Sequence, residues 1–234
     1  MNRLARPNLA RRDFLGMAAT ATAAVATNVP RPAVAAAGEA AAGTPATPTF
    51  LPETQASARS RIQQRNLPNV PLVTHEGKKV RFYDDLVKDK VVTLNFFYAL
   101  CGDVCPAVTA NLVEVQKLLG DQVGRDVFMY SFTLRPEADD VLAIQNYRDN
   151  FGAGPGWTFL TGQPDDLEKL RRAIGFTNPN PLLDKDTTQH IGNVRYGNEP
   201  LMLWAACPGM AKPSFIAESI SWALRPDTNR VQPP

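Results

Sequence analysis

Cys101 and Cys105, separated by Gly102, Asp103 and Val104 and followed directly by Pro106, are the residues of this chain best suited to chemistry. Two thiols at that spacing can close a small disulfide, cycle between dithiol and disulfide, or hold a soft metal ion between thiolates. Cysteines four apart on a regular helix keep their β-carbons about 5–6 Å apart, whereas a disulfide needs roughly 3.5–4.5 Å. Proline disfavours helical geometry in the residue before it, so Cys105 is expected at a helix N-cap, with Cys101 to Cys105 forming a loop. Both thiols then lie near the positive end of a helix, which favours thiolate, the form that metals and disulfide exchange require. An inert staple gains least here, because closing so short a loop removes little entropy from the unfolded chain.

The elements that must position this loop follow from hydrophobic patterning. VVTLNFFY, 91–98, is mostly apolar or aromatic and predicts a strand covered on both faces. After the loop, Val108, Leu112, Val115, Leu118 and Leu119 repeat at helical spacing, with Pro106 opening the helix and Gly120 closing it. The cysteines therefore sit at the carboxyl end of a buried strand, where α/β sheets place their sites. A second buried strand is expected over 126–134, and a helix over 136–152 whose acidic first turn suits its dipole. A strand at 157–162 and a helix from Pro164 to about Ile174 come next. PLVTHEGKKVRFYDDL predicts two short strands about a Glu76-Gly77 turn and then a brief helix. HIGNVRY and PLMLWAA predict strands joined by a Gly197-Asn198-Glu199 turn, ahead of a terminal helix over 212–224. The fold class is α/β: a central mixed sheet with helices on both faces and hairpins at its ends.

The chain has 234 residues and a formal charge of +2, but its first 38 residues hold five of the 25 Lys/Arg and one of the 23 Asp/Glu. The remainder carries 20 basic and 22 acidic residues, a net of −2, which gives no reason to expect a nucleic-acid partner. Residues 1–35 have the order of an export signal: basic residues, a small-residue apolar segment, and Ala33-Val34-Ala35 as a cleavage region. Arg11-Arg12 followed by Asp13-Phe14-Leu15 resembles the twin-arginine signal, which carries folded proteins across the bacterial inner membrane and implies a periplasmic protein. The alternative is a basic N-terminal anchor that stays attached; if the signal is cleaved, no stable membrane span remains. Residues 36–65, rich in Ala, Pro and Thr, are expected as a linker or disordered arm, unless RIQQRNLP at its end packs on the domain, with the folded domain over 66–226 and a tail at 227–234.

CGDVCP after a strand ending in aromatics, with a helix following and GKKVRFYDDL ahead, resembles the CxxxCP loop of the Sco/SenC family over about residues 68–224. Asp103 matches the acidic residue often found inside that loop, while Gly102 replaces a common proline. The resemblance implies a thioredoxin-like fold with an added hairpin near the C-terminus. It also implies a copper ion as ligand, a copper donor protein, and a client that is a terminal oxidase such as cytochrome c oxidase or another cuproenzyme. By the same resemblance, Cys101, Cys105 and the distal His190, which ends the polar loop DKDTTQH, form the metal site of a metallochaperone or thiol reductant. Two sulfurs and one imidazole suit Cu(I), and also Cu(II) or zinc in other geometries. The competing reading is a thiol–disulfide oxidoreductase without a metal, in which Cys101 and Cys105 are the catalytic redox pair and Cys101 attacks; a module with an inert disulfide is the third. His75, the other histidine, is expected as a solvated turn residue, and His190 could instead be a hydrogen-bonding loop residue. Cys207 is expected as a half-buried residue at a strand end, and Met129, Met202 and Met210 as core.

Overall fold

A run of β-branched and aromatic side chains with no charge cannot face water on either side, so Val91–Phe97 becomes an inner strand, β3. It pairs in parallel with β4, Val127–Thr133, and β4 pairs in parallel with β5, Trp157–Gly162. Parallel neighbours need crossovers, supplied by α2, Val104–Leu119, and α3, Val141–Phe151. The computed structural model describes residues 55–186 and 192–224. Two hairpins extend the parallel centre. β1, Pro71–Thr74, and β2, Lys79–Arg81, add antiparallel to β5; β6, Asn193–Asn198, and β7, Leu203–Pro208, add antiparallel to β3. The order is β2-β1-β5-β4-β3-β6-β7, the mixed sheet expected from the patterning.

Alternation along β3 and β4 divides the core. Phe97, Met129 and Phe159 face a layer built from α2, α3 and α6, Pro213–Leu224, with Val108, Leu112, Ile144, Ile216 and Ile220 buried there. Val92, Leu94, Phe132 and Leu160 face the other layer, closed by a wide helical turn at Phe82–Val87 and by α4, Pro164–Ala173. A short helix, α5, spans Pro181–Lys185. No described helix is long and apolar enough to cross a membrane.

Four local expectations need correction. Cys105 is not the N-cap of α2: Asp103 is, and Pro106 falls in the first turn, where a missing N–H costs nothing because those groups have no partner inside the helix. α3 starts at Val141, not near 136, because the Asp140 side chain accepts a hydrogen bond from the Ala143 N–H and caps it there. Gly197 and Asn198 belong to β6, where they pair with Trp204 and Leu203, so the hairpin turn is Glu199–Met202. Finally, Gln55–Asn66, which runs from the end of the expected linker into the first residue of the expected domain, forms a helix, α1. Its Arg59 bonds the Glu199 carboxylate at 2.8 Å and the Pro200 carbonyl at 2.8 Å, contacts between residues about 140 apart that composition cannot reveal.

Candidate metal and redox site

The cysteine loop leaves the sheet at Phe97 and is tied down at its entry by residues distant in sequence. The Ala99 N–H donates to Asp139 Oδ2 at 3.0 Å, and the same oxygen accepts the Thr133 hydroxyl, so one buried carboxylate joins the loop to the end of β4. The Cys101 N–H then donates to the Tyr98 carbonyl at 3.2 Å, turning the chain toward α2. Sequence reasoning missed Asp139. Its only signal is a second acidic residue beside the Asp140 cap. Below the loop, the Thr109 and Tyr147 hydroxyls share a hydrogen bond of 2.8 Å, and Tyr147 stacks on Phe97 at 4.7 Å between ring centres.

Neither cysteine is disulfide-bonded, and both are buried, Cys101 at 7% exposure and Cys105 at 2%, while Leu100 stands 86% exposed on the rim. Their environments are unequal. Burial pushes the Cys101 thiol up, but hydrogen bonds from the Cys105 thiol, the Tyr98 hydroxyl and the backbone N–H groups of Asp103 and Cys105 outweigh it, leaving Cys101 more acidic than an ordinary thiol. Burial first, and then its hydrogen bond to Cys101, drive Cys105 the other way, well above the usual thiol range. The Tyr98 hydroxyl is pushed up to about 12 by that bond to Cys101 and by burial. The Arg135 guanidinium lies 4.4 Å from the centre of the Tyr98 ring and holds it over the loop.

The structure therefore brings together Cys101 and Cys105 from the predicted site. His190 lies outside the described residues, and among those described no third His, Cys, Asp or Glu joins the two sulfurs in a metal-holding group. Gly192, the first described residue after it, packs against the start of α2: a Cβ there would come within 2.8 Å of Val104 Cγ2. The Gly209 N–H closes the root of the hairpin by donating to the Gly192 carbonyl at 2.7 Å.

His75 is not the solvated residue expected. It is 8% exposed, its Nδ1 accepts from the Phe159 N–H at 3.3 Å, and its own N–H donates to the Phe159 carbonyl at 2.8 Å. It follows β1, three strands from β3, about 14 Å across the sheet. Cys207 is buried opposite Val194, and burial raises its thiol. Met129 is core as expected, but Met202 occupies the hairpin turn with a φ of 51° and Met210 is 59% exposed, so neither fills the core.

Comparison with known proteins gives this corner a context. The solved structure of a SCO1/SenC family lipoprotein from Bacillus anthracis matches with a TM-score of 0.57 and 20% identity, over 68% of this chain and 95% of that one. Bradyrhizobium japonicum ScoI, solved with copper bound, matches with a TM-score of 0.53 and 23% identity, over 65% and 96% of the respective chains. These likenesses establish the α/β fold as thioredoxin-like. A SCO1 protein homolog of Bacillus subtilis is 31% identical over 88 residues, a stretch covering 37% of this chain and 44% of that relative. The family model for SCO1/SenC matches residues 62–223, from the last turns of α1 to the last turn of α6, with the Cys101–Cys105 corner inside it. More than two thirds of the sequence is thus accounted for, and the chain belongs to the SCO1/SenC family.

Proposed function

We propose that this chain carries a single copper ion as cargo between the thiolates of Cys101 and Cys105 and the imidazole of His190. The observation that carries the reading is the pair of buried thiols, not joined in a disulfide, within hydrogen-bond reach of one another at a strand-to-helix corner. Two soft sulfurs and an imidazole suit Cu(I). For the third donor, support comes from Gly192: it is held against Val104, beside Cys105, and two residues of chain reach at most about 7 Å. The binding of copper by a solved relative of the same fold agrees with this. Delivery would go to a terminal oxidase or another cuproenzyme. Export through the twin-arginine-like segment would place the protein in the periplasm, and a lipoprotein among its structural relatives fits an exported or membrane-associated protein.

The test is titration of Cu(I) into fully reduced protein against a competing chelator. One ion should bind. His190→Ala should weaken binding by about tenfold or more, and Cys101→Ser or Cys105→Ser should abolish it. Unchanged affinity in His190→Ala would remove His190 from the site; no binding to wild type would end the reading.

The unequal thiols favour a second activity of the same pair, reduction of a client disulfide. The Cys101 thiolate attacks one client sulfur and releases the other as a thiolate. Cys105 then loses its proton and attacks the mixed disulfide at Cys101, freeing the reduced client. Two electrons pass to the client and this chain is left with a Cys101–Cys105 disulfide. In that state neither sulfur is a thiolate ligand, so transfer of electrons and release of copper are linked.

A further inference from the structure

On the sheet face opposite α2, a cavity of about 200 Å³ is lined by Asn66 and Leu67 after α1, Ala173 and Ile174 at the end of α4, Arg195 on β6 and Trp204 on β7. Arg195 and Trp204 are diagonal neighbours across the β6–β7 hairpin, since Gly197 pairs with Trp204 and Arg195 with Ala206. The Trp204 ring lies directly on Gly197, where a Cβ would come within 2.3 Å of it, so the glycine is what lets the indole lie down as a flat wall. Arg195 is half-buried and is bonded to the Ile174 carbonyl, where it caps the C-terminus of α4. That bond uses one of five N–H groups. Among the described residues no carboxylate pairs with it, and burial alone accounts for the change in its acidity. A half-buried guanidinium with unused donors, lining the same cavity as an aromatic wall and Asn66, matches the planar oxygens of an anion.

The geometry points to a binding site for a small aromatic carboxylate, with its ring against Trp204 and Ile174 and its carboxylate on the Arg195 guanidinium and the Asn66 amide. Arg195 supplies the planar fork that a carboxylate matches, and the modest volume limits the body to about a single ring. The site is separate from the thiols and does not depend on copper.

Benzoate titrated into reduced, copper-free full-length protein, followed by the indole N–H resonance of Trp204, tests the assignment. Benzamide, its neutral counterpart, and inorganic sulfate serve as controls. Benzoate should give a saturable shift, benzamide and sulfate should bind at least tenfold more weakly, and Arg195→Gln should lose the response while still binding Cu(I) like wild type. If Arg195→Gln fails to fold, Arg195→Lys, which keeps the charge and loses the fork, should bind benzoate at least tenfold more weakly than wild type. Absence of a saturable shift overturns the proposal. So does equal binding of benzamide, which would mean apolar filling alone, or of sulfate, which would mean unspecific attraction to a cation. Because the readout is Trp204 in copper-free protein, failure here leaves the Cu(I) titration unaffected.

Discussion

Asp139 and His75 both act through hydrogen bonds to backbone groups far away in sequence, and that is why their roles are hidden in the primary structure. Asp139 is one of two adjacent acids, and only the fold reveals that Asp140 caps α3 while Asp139 turns inward to Ala99 and Thr133. The cysteines were legible because their own spacing and the proline carry the signal. His75 yields a prediction about acid. Burial first, and the Arg148 guanidinium second, hold its imidazole below the ordinary value of 6.5, and its Nδ1 must stay unprotonated to accept from Phe159. Below pH 6.5 the unfolded chain therefore binds a proton that the folded chain resists. The contribution of His75 is complete above that value, is lost as pH falls toward the folded-state pKa, and levels off beneath it. Urea midpoints measured from pH 7.5 down to 5 should decline through this window, and His75→Gln, which keeps an acceptor without a proton to gain, should flatten the decline. Equal slopes in the two proteins would show that His75 is not its source.

At the scale of elements, the sheet was readable where apolar and aromatic residues cluster without a charge: β3, β4 and β5 announce themselves in this way. Elements fixed by remote polar contacts were not. α1 is poor in large apolar side chains and is secured by Arg59 on Glu199, whose carboxylate is fully buried and also receives the Tyr83 hydroxyl and the Asp89 N–H. The same buried Glu199 explains the displaced turn: Gly197 and Asn198 look like turn residues, yet Trp204 packs on the first and the side chain of the second donates to the Ala223 carbonyl. If His190 is the third copper donor as proposed, the contact that matters most is that of the hairpin root with α2. Placing a methyl group at Gly192 drives it to 2.8 Å from Val104 Cγ2. Gly192→Ala should cost about 1–3 kcal/mol, as overpacking does, and weaken Cu(I) binding by forcing the strand after His190 away from the cysteines. Adding Val104→Ala removes the opposing methyl groups and should restore much of both losses. Denaturant unfolding and Cu(I) competition on the two variants check this. If the second substitution fails to restore affinity, spacing at this contact is not what positions the third donor.

Over the whole molecule, three thiols share the layer of core between the sheet and α2, yet the fold gives them different chemistry. Cys207 sits within a strand pair, where burial alone acts and raises its thiol. Cys105 is in the first turn of α2, close to the positive end of the helix, but deep burial overrides that location. Cys101 lies just outside the helix, where backbone N–H groups and the Tyr98 hydroxyl converge on its sulfur, so the strand-to-helix crossover concentrates thiolate on one atom. This arrangement needs the parallel β3–β4 pair to force a crossover, Asp139 to fix its entry and Arg135 to hold Tyr98 above it. Alkylation of the native, reduced, copper-free protein at neutral pH should therefore label Cys101 at least ~10-fold faster than Cys105 or Cys207. Mass spectrometry of the digested protein over a time course measures the three rates. Tyr98→Phe should slow labelling of Cys101, because the thiolate loses a donor and the thiol pKa rises, so a higher pH should be needed to regain the original rate. Faster labelling of Cys207 than of Cys101, or indifference of Cys101 to the loss of the Tyr98 hydroxyl, would contradict the division of labour read from the two sulfurs.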